Sequence, residues 1–441
     1  MTVNARSTDL ASLWMPFTPN RRFKAQPRMI ERATGCHYVL EDGRRLFDSI
    51  SGLWCSPLGH GHRRIVEAVQ RQLVEVDYSP AFQMGYRPAF DLAARIAAFA
   101  GRPDDKVFFT NSGSEAVDTA LKIAVGYHRA RGDAARTRLI GRERGYHGVG
   151  IGGISVGGIV PNRRAFSSMM IPGVDHLPHT YNRAETAFTR GQPAWGAHLA
   201  DDLERLIALH DASTIAAVIV EPVAGSTGVL PPPIGYLERL RDICTRHGIL
   251  LIFDEVITGF GRLGVPFAAD AFAVCPDMLT FAKAVTNAVI PLGGVIVSPQ
   301  IHDAFMSGPD HLIELAHGYT YSGHPMAMAA GHAALDALTT DGLIARAATL
   351  APLLADAMHS LQGTPGVVDI RSIGLMAAID LDPIPGKPGL RGTQVFEAAL
   401  DQGLYIRLTG DTLAVAPPFV AEESDIQQIA PQIMAAIAAA G

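Results

Sequence analysis

The sequence predicts an α/β protein. It consists of a large, mostly parallel sheet domain with helices on both faces, plus a smaller α+β domain built from both chain ends. Three observations predict it. Short β-type runs alternate with helical patterns from Lys106 to Ser298, the signature of βαβ units. Runs such as Ile249–Phe253 are apolar at every position, as strands are when helices cover both faces. After Gly323-His324-Pro325 the texture changes to Ala-rich helices and short strands. Boundaries therefore fall near 60 and 325, giving an N-terminal segment 1–60 that joins the small domain, a large domain 61–325 and a C-terminal part 326–441.

In chain order, residues 37–48 alternate apolar positions around Asp42-Gly43 and read as a hairpin. Arg63 to Val76 carries Ile65, Val66, Val69 and Leu73 on one helical face. Strand 106–110 leads into a helix from Ser114 to Arg131, followed by strands 137–141 and 216–220, a helix 235–247 and strand 249–253. Weaker strands follow at 278–282 and 292–298. The last part reads as helices 326–339 and 343–361, short strands near 366–381 and 403–415, and a helix 424–439.

Composition excludes several classes. With 48% hydrophobic and 18% charged residues the chain buries enough surface to fold. A net charge of −6 argues against a nucleic-acid partner, whose binders carry basic faces. No run approaches the ~18 apolar residues of a membrane span, and residues 1–17 hold no signal-peptide core. Cys36, Cys55, Cys244 and Cys275 are too scattered for a disulfide framework or a zinc site, which suits a reducing cytoplasm. Neither His60-x-His62 nor His176 with His179 has the helical spacing with glutamate of a catalytic metal site, so no metal is expected.

Some popular motifs mislead. Gly148, Gly150 and Gly153, and again Gly259, Gly261 and Gly264, fit Gly-x-Gly-x-x-Gly, but neither set lies between a strand and a helix as a dinucleotide site requires. Gly153-Ile154-Ser155-Val156-Gly157 fits a hydrolase elbow, yet Gly157, Gly158 and Pro161 oppose the helix that must follow the serine; a glycine-rich loop is expected.

Other residues carry more. Of five lysines, only Lys283 sits in an apolar run beside a strand end, as a snorkelling surface residue or a desolvated amine suited to a Schiff base. Asp254-Glu255 follows an apolar strand, where a carboxylate points into the ligand crevice or caps a helix. Asn111-Ser112-Gly113-Ser114-Glu115 opens a helix, as a phosphate cradle or a capping box. An anion site, a strand-end aspartate and an apolar-context lysine together suit pyridoxal phosphate.

Here the sequence resembles a known family, the class III (omega) aminotransferases of fold type I, and within it the β-alanine–pyruvate, or omega-amino acid–pyruvate, group. The runs that carry the resemblance are Asp48–Trp54, Asn111–Lys122, Arg144–Gly148, Val220–Ser226, Phe253–Thr258, Ala282–Asn287 and His317–Pro325. It implies that Lys283 forms the Schiff base and that Asp254 pairs with the pyridine nitrogen. Ser112, Gly113 and Ser114 would hold the phosphate, Tyr146 and Val256 would cover the two ring faces, and His147 and Glu221 would complete the cofactor site. Thr320 would reach the phosphate of a neighbouring subunit, making the enzyme a homodimer or homotetramer with shared active sites. Trp54 would wall the substrate pocket and Arg407 bind the donor's carboxylate. The implied reaction passes an amino group from β-alanine or a similar small amine to pyruvate with ping-pong kinetics.

Two departures bear on the donor. Ala414 stands where relatives carry arginine or glutamine, so carboxylate binding rests on Arg407 or is weaker. Ser226 stands where ornithine- and GABA-type members carry a gating glutamate, which argues against those activities. A general omega-amine or taurine–pyruvate aminotransferase is the alternative within the class, and a nicotinamide-dependent dehydrogenase the alternative outside it.

Overall fold

The computed structural model describes residues 10–441; residues 1–9, on which part of the signal-peptide expectation falls, lie outside the described residues. Strands β1 (Ile30–Thr34), β2 (His37–Leu40) and β3 (Arg45–Asp48) form an antiparallel meander, with Gly43 at φ +85° in the turn of the expected hairpin. β1, Ile-Glu-Arg-Ala-Thr, was not expected: it is an edge strand and largely exposed, so it lacks an apolar alternation.

The central sheet contains β4 (Lys106–Thr110), β5 (Arg138–Arg142), β6 (Val174–Leu177), β7 (Ile215–Val220), β8 (Leu250–Asp254), β9 (Met278–Phe281) and β10 (Gly293–Val297), in the order β4-β10-β9-β8-β7-β5-β6. Strands β6, β5, β7, β8 and β9 are parallel. β10 is antiparallel to both its neighbours, so β4 runs in the same direction as the other five. The carboxyl ends of six strands therefore share one rim. That fixes where a ligand crevice can form.

Alternation between two helix layers, from Ala217 on in β7 and along β8, explains the uninterrupted apolar runs. In β7 and β8, Ala217, Ile219, Leu250 and Ile252 pack into the cluster of helix Gly113–Ala130. Their neighbours Val218, Val220, Leu251 and Phe253 pack into the larger cluster of helices Tyr236–His247 and Pro325–Thr340. Each strand is buried along its whole length, the reason for its composition.

At the C-terminus β11 (Val367–Ile373), β12 (Met376–Leu381), β14 (Arg407–Thr409) and β15 (Thr412–Val415) form a sheet in the order β11-β12-β15-β14. The short β13 (Leu404–Tyr405) leaves it to pair in parallel with β3, joining the two chain ends. Helices Leu343–His359 and Glu423–Ala440 lie close to the expected spans. No helix among the described residues is long and apolar enough to cross a membrane.

Candidate active site

Five strand ends converge on a cavity of about 170 Å³. β4 delivers Gly113 and Ser114, β5 delivers Tyr146, His147 and Gly148, and β7 delivers Glu221. β8 delivers Asp254, Val256 and Ile257, and β9 delivers Ala282 and Lys283. Eight of the ten residues expected at a cofactor site thus line one cavity; Ser112 and Thr320 do not.

Asp254, the last residue of β8, is held on three sides. Its Oδ2 meets His147 Nδ1 at 2.8 Å, and its Oδ1 accepts from Thr280 Oγ1 at 3.1 Å and from the Val256 amide at 3.2 Å. A carboxylate offers about four acceptor positions, so Asp254 keeps capacity for a donor in the cavity. Glu255 turns the other way: it accepts from the amides of Ala268 and Ala269 and from Thr258 Oγ1. Burial pushes its pKa up to about 7 against those bonds. Of the paired carboxylates, Asp254 serves the crevice and Glu255 serves a helix start. Glu221 accepts from the amides of Tyr146 (2.9 Å) and Gly225 (3.1 Å), and burial pushes its carboxyl above the ordinary range.

The two serines separate in the same way. Ser112 caps helix Gly113–Ala130: its Oγ accepts from the Glu115 amide at 3.2 Å and its carbonyl from the Ala116 amide. Ser112, expected in the phosphate site, caps the helix with its Oγ and is not among the residues that line the cavity. Those bonds leave the Gly113 and Ser114 amides at the positive end of an 18-residue helix. Ser114 Oγ accepts from the Val149 amide at 3.1 Å, so its own proton is free to donate.

The glycines of 148–153 are packing devices. A Cβ on Gly148 would lie 2.4 Å from Ser114 Oγ, and Cβ atoms on Gly150 and Gly152 would strike the Asp118 carboxylate. Residues 151–156 form a helical turn rather than the expected glycine-rich loop. Ser155 lies inside it, buried, donating to Ile151 O and accepting from the Ile171 amide, which leaves no elbow nucleophile.

Lys283 opens the loop after β9 with φ +50°, in the left-handed region that a lysine rarely adopts. Asn287, also left-handed, clamps the loop: its Oδ1 accepts from the Leu58 amide at 2.9 Å and its Nδ2 donates to Gly59 O at 2.8 Å. The Lys283 amine makes no hydrogen bond to a described residue, and burial lowers its pKa against the opposing charges of Asp254 and Glu221.

Arg407, the first residue of β14, lines a second cavity, of about 510 Å³, with Gly52, Leu53 and Tyr405. Its Nε is buried without a partner, and Ala414 lies directly across the β14–β15 ladder from it. Trp54, expected to wall the substrate pocket, is only 4% exposed and packs in the core, while its neighbour Leu53 lines this cavity. The cause is local: Ser51, Gly52, Leu53 and Trp54 all have φ between +48° and +71°, one turn of left-handed helix. Each non-glycine residue there costs about 1–2 kcal/mol. Thr320 is exposed, its carbonyl accepting from Tyr78 Oη at 3.0 Å, and it contributes nothing to its own chain's cavity.

The donor set fits pyridoxal phosphate on the chain's own atoms. Free amides and a free hydroxyl proton sit at a helix start, a carboxylate has spare acceptor capacity, and an unpartnered amine stands beside it. Known proteins agree. The family model "Aminotransferase class-III" matches residues 19–437. The chain is 58% identical to an omega-aminotransferase of Caulobacter vibrioides, over 96% of both chains. It is 49% identical to a β-alanine–pyruvate aminotransferase of Pseudomonas aeruginosa, over 96% of this chain and 94% of that one. The fold superposes on an omega transaminase from Pseudomonas jessenii solved in complex with PMP, with a TM-score of 0.92, 30% identity, and coverage of 98% and 97%. A match that runs nearly end to end, in sequence and in fold, means that the chain belongs to the class-III aminotransferase family.

Proposed function

We propose that this pyridoxal-phosphate aminotransferase moves the amino group of β-alanine, or a similar omega-amino acid or amine, to pyruvate, giving a semialdehyde or aldehyde and L-alanine. The observation that carries the donor class is Arg407. Its guanidinium has a buried, unpartnered Nε, and the ladder opposite offers only Ala414, so among the described residues no carboxylate pairs with it, which leaves it for a substrate carboxylate. Relatives named for β-alanine and omega-amino acids as donors support the same reading.

When bound, pyridoxal phosphate supplies a carbonyl that condenses with amines and a ring that withdraws electrons from the amine-bearing carbon. The chain's residues do the rest. Asp254 would offer its spare acceptor position to the ring nitrogen, and its carboxylate would favour the protonated ring. His147 holds the carboxylate on the far side. Lys283 Nζ, whose pKa burial lowers, would carry the proton between the amine-bearing carbon of the donor and the carbonyl carbon of the cofactor. Gly113 and Ser114 would bind the phosphate, Tyr146 and Val256 would flank the ring, and Arg407 would orient the donor; their places in the cavity linings support this. We further infer a cytoplasmic enzyme, a homodimer or homotetramer in which Thr320 completes the neighbour's phosphate site. In this reading 61–325 is the cofactor-binding domain, with 1–60 and 326–441 as the small one.

The visible spectrum tests the reading. The purified protein is expected to be yellow, to bleach with β-alanine and to recover with pyruvate. A band that β-alanine leaves unchanged would show the donor to be wrong, and a colourless protein after added pyridoxal phosphate would remove Lys283 from its role. Arg407→Ala should raise KM for β-alanine by roughly 10- to 100-fold, the worth of a hydrogen bond to a charged group. The same variant should turn over a carboxylate-free amine unchanged; an equal loss on both donors would make Arg407 structural.

A further inference from the structure

The segment from Asp48 to His60 is a loop closed on itself. Asp48, fully buried, ends β3, and its Oδ2 meets His60 Nε2 at 2.8 Å. The same carboxylate accepts from the Gly52 amide at 2.7 Å and the Ile50 amide at 3.3 Å, inside and just before the left-handed turn 51–54. Ser51 Oγ donates to Ala416 O at 2.7 Å and accepts from Arg262 Nη2 at 3.2 Å.

Arg262 is a buried guanidinium with no carboxylate in a salt bridge. It donates to the Pro417 and Leu375 carbonyls and stands 4.8 Å over the Phe419 ring. Three left-handed residues that are not glycine do not hold such a conformation alone. Here it is fixed by the carboxylate at one end and the hydroxyl and guanidinium at the other.

Both working parts of the site lean on this loop. Its turn presents Gly52 and Leu53 to the cavity that contains Arg407. Its far end, at Leu58 and Gly59, is bonded to Asn287 and so to the loop that starts with Lys283. Pro57 O also accepts the Phe419 amide, fastening the loop to the segment that Arg262 holds.

We propose that Asp48, with Ser51 and Arg262, is the positioning group of the substrate pocket: by holding turn 51–54 left-handed it fixes the Leu53 wall at a set distance from Arg407 and thereby selects donor length. The proposal rests on Arg407 as the carboxylate site and goes beyond it, because none of the three residues touches substrate in this arrangement.

Two variants test it on the cofactor-loaded enzyme. Ser51→Gly removes the hydroxyl but keeps a residue that tolerates positive φ, so it is expected to fold. Asp48→Asn takes away the charge and reverses a hydrogen bond. Calorimetry would give the ratio of dissociation constants for propanoate and hexanoate, and kinetics the ratio of kcat/KM for 3-aminopropanoate and 6-aminohexanoate. Both ratios are independent of the fraction of active protein. The expected result is a shift of about tenfold in each ratio for Ser51→Gly, the size of effect a moved apolar wall produces, with the cofactor band unchanged. A folded Ser51→Gly enzyme whose ratios equal wild type overturns the proposal, whether or not Asp48→Asn folds. Wild-type enzyme that binds neither carboxylate overturns the Arg407 reading and the proposal together.

Discussion

Lys283→Ala is expected to lose the visible band and to lower kcat by on the order of 10⁴-fold, since one amine is both the attachment point and the proton carrier. Borohydride treatment provides a readout apart from rate. It should fix the cofactor covalently to the wild-type peptide containing Lys283 and leave no such adduct in the variant. Retained covalent cofactor would point to another of the five lysines. The stability of the cofactor-free protein should respond as well. Burial lowers the folded-state pKa of Lys283, so between that value and the ordinary ~10.4 the unfolded chain binds more protons than the folded one. Over this window stability rises with pH. Lys283→Met, which carries no proton, should flatten that rise and be at least as stable as wild type near neutrality. A variant with an unchanged slope would mean that the amine is solvated.

How much of this was readable beforehand follows from where tertiary contacts decide. β7 and β8 are legible because full burial leaves only apolar residues. β6, Val-Asp-His-Leu, was missed because it is a four-residue edge strand with polar residues at its centre. Helix Arg87–Phe99 was passed over although Pro88 sits in its first turn, where a missing amide costs nothing. Helix Leu390–Asp401 lay between two stretches read as strands.

In the site, Asp254 and Lys283 announced themselves by being charged residues at apolar strand ends. Ser112 and Ser114 could not be told apart, since capping and anion binding use the same residue type at adjacent positions. Gly148 carried a signal that was assigned to no role: its place beside Ser114 is visible only once the β5 loop folds over the helix start. The left-handed turn had no local signal beyond Gly52. Its conformation is held by contacts to Asp48 and Arg262, distant in sequence from one another, so that Leu53 would line a cavity and Trp54 pack in the core was not readable from the residues around them.

Asp254→Asn should lower kcat by roughly 10²- to 10⁴-fold while the cofactor stays bound through Lys283. The argument is electrostatic. The amide occupies the same space but carries no charge, so it no longer favours the protonated ring nitrogen. Geometry sharpens the effect. Asp254 accepts from Thr280, Val256 and His147, three donors arranged for a group that only accepts. An amide must point its NH₂ at one side of that set, and the His147 side has only one partner to lose. His147→Phe then separates charge from position. It removes the donor at Oδ2 but leaves the carboxylate, so its loss in kcat should be smaller than that of Asp254→Asn. The visible band of His147→Phe should move its pH dependence, because the carboxylate that faces the ring is less well held. If Asp254→Asn turned over at the wild-type rate, ring protonation would not depend on this carboxylate. Glu221, the other carboxylate lining the cavity, would then be the group to replace next.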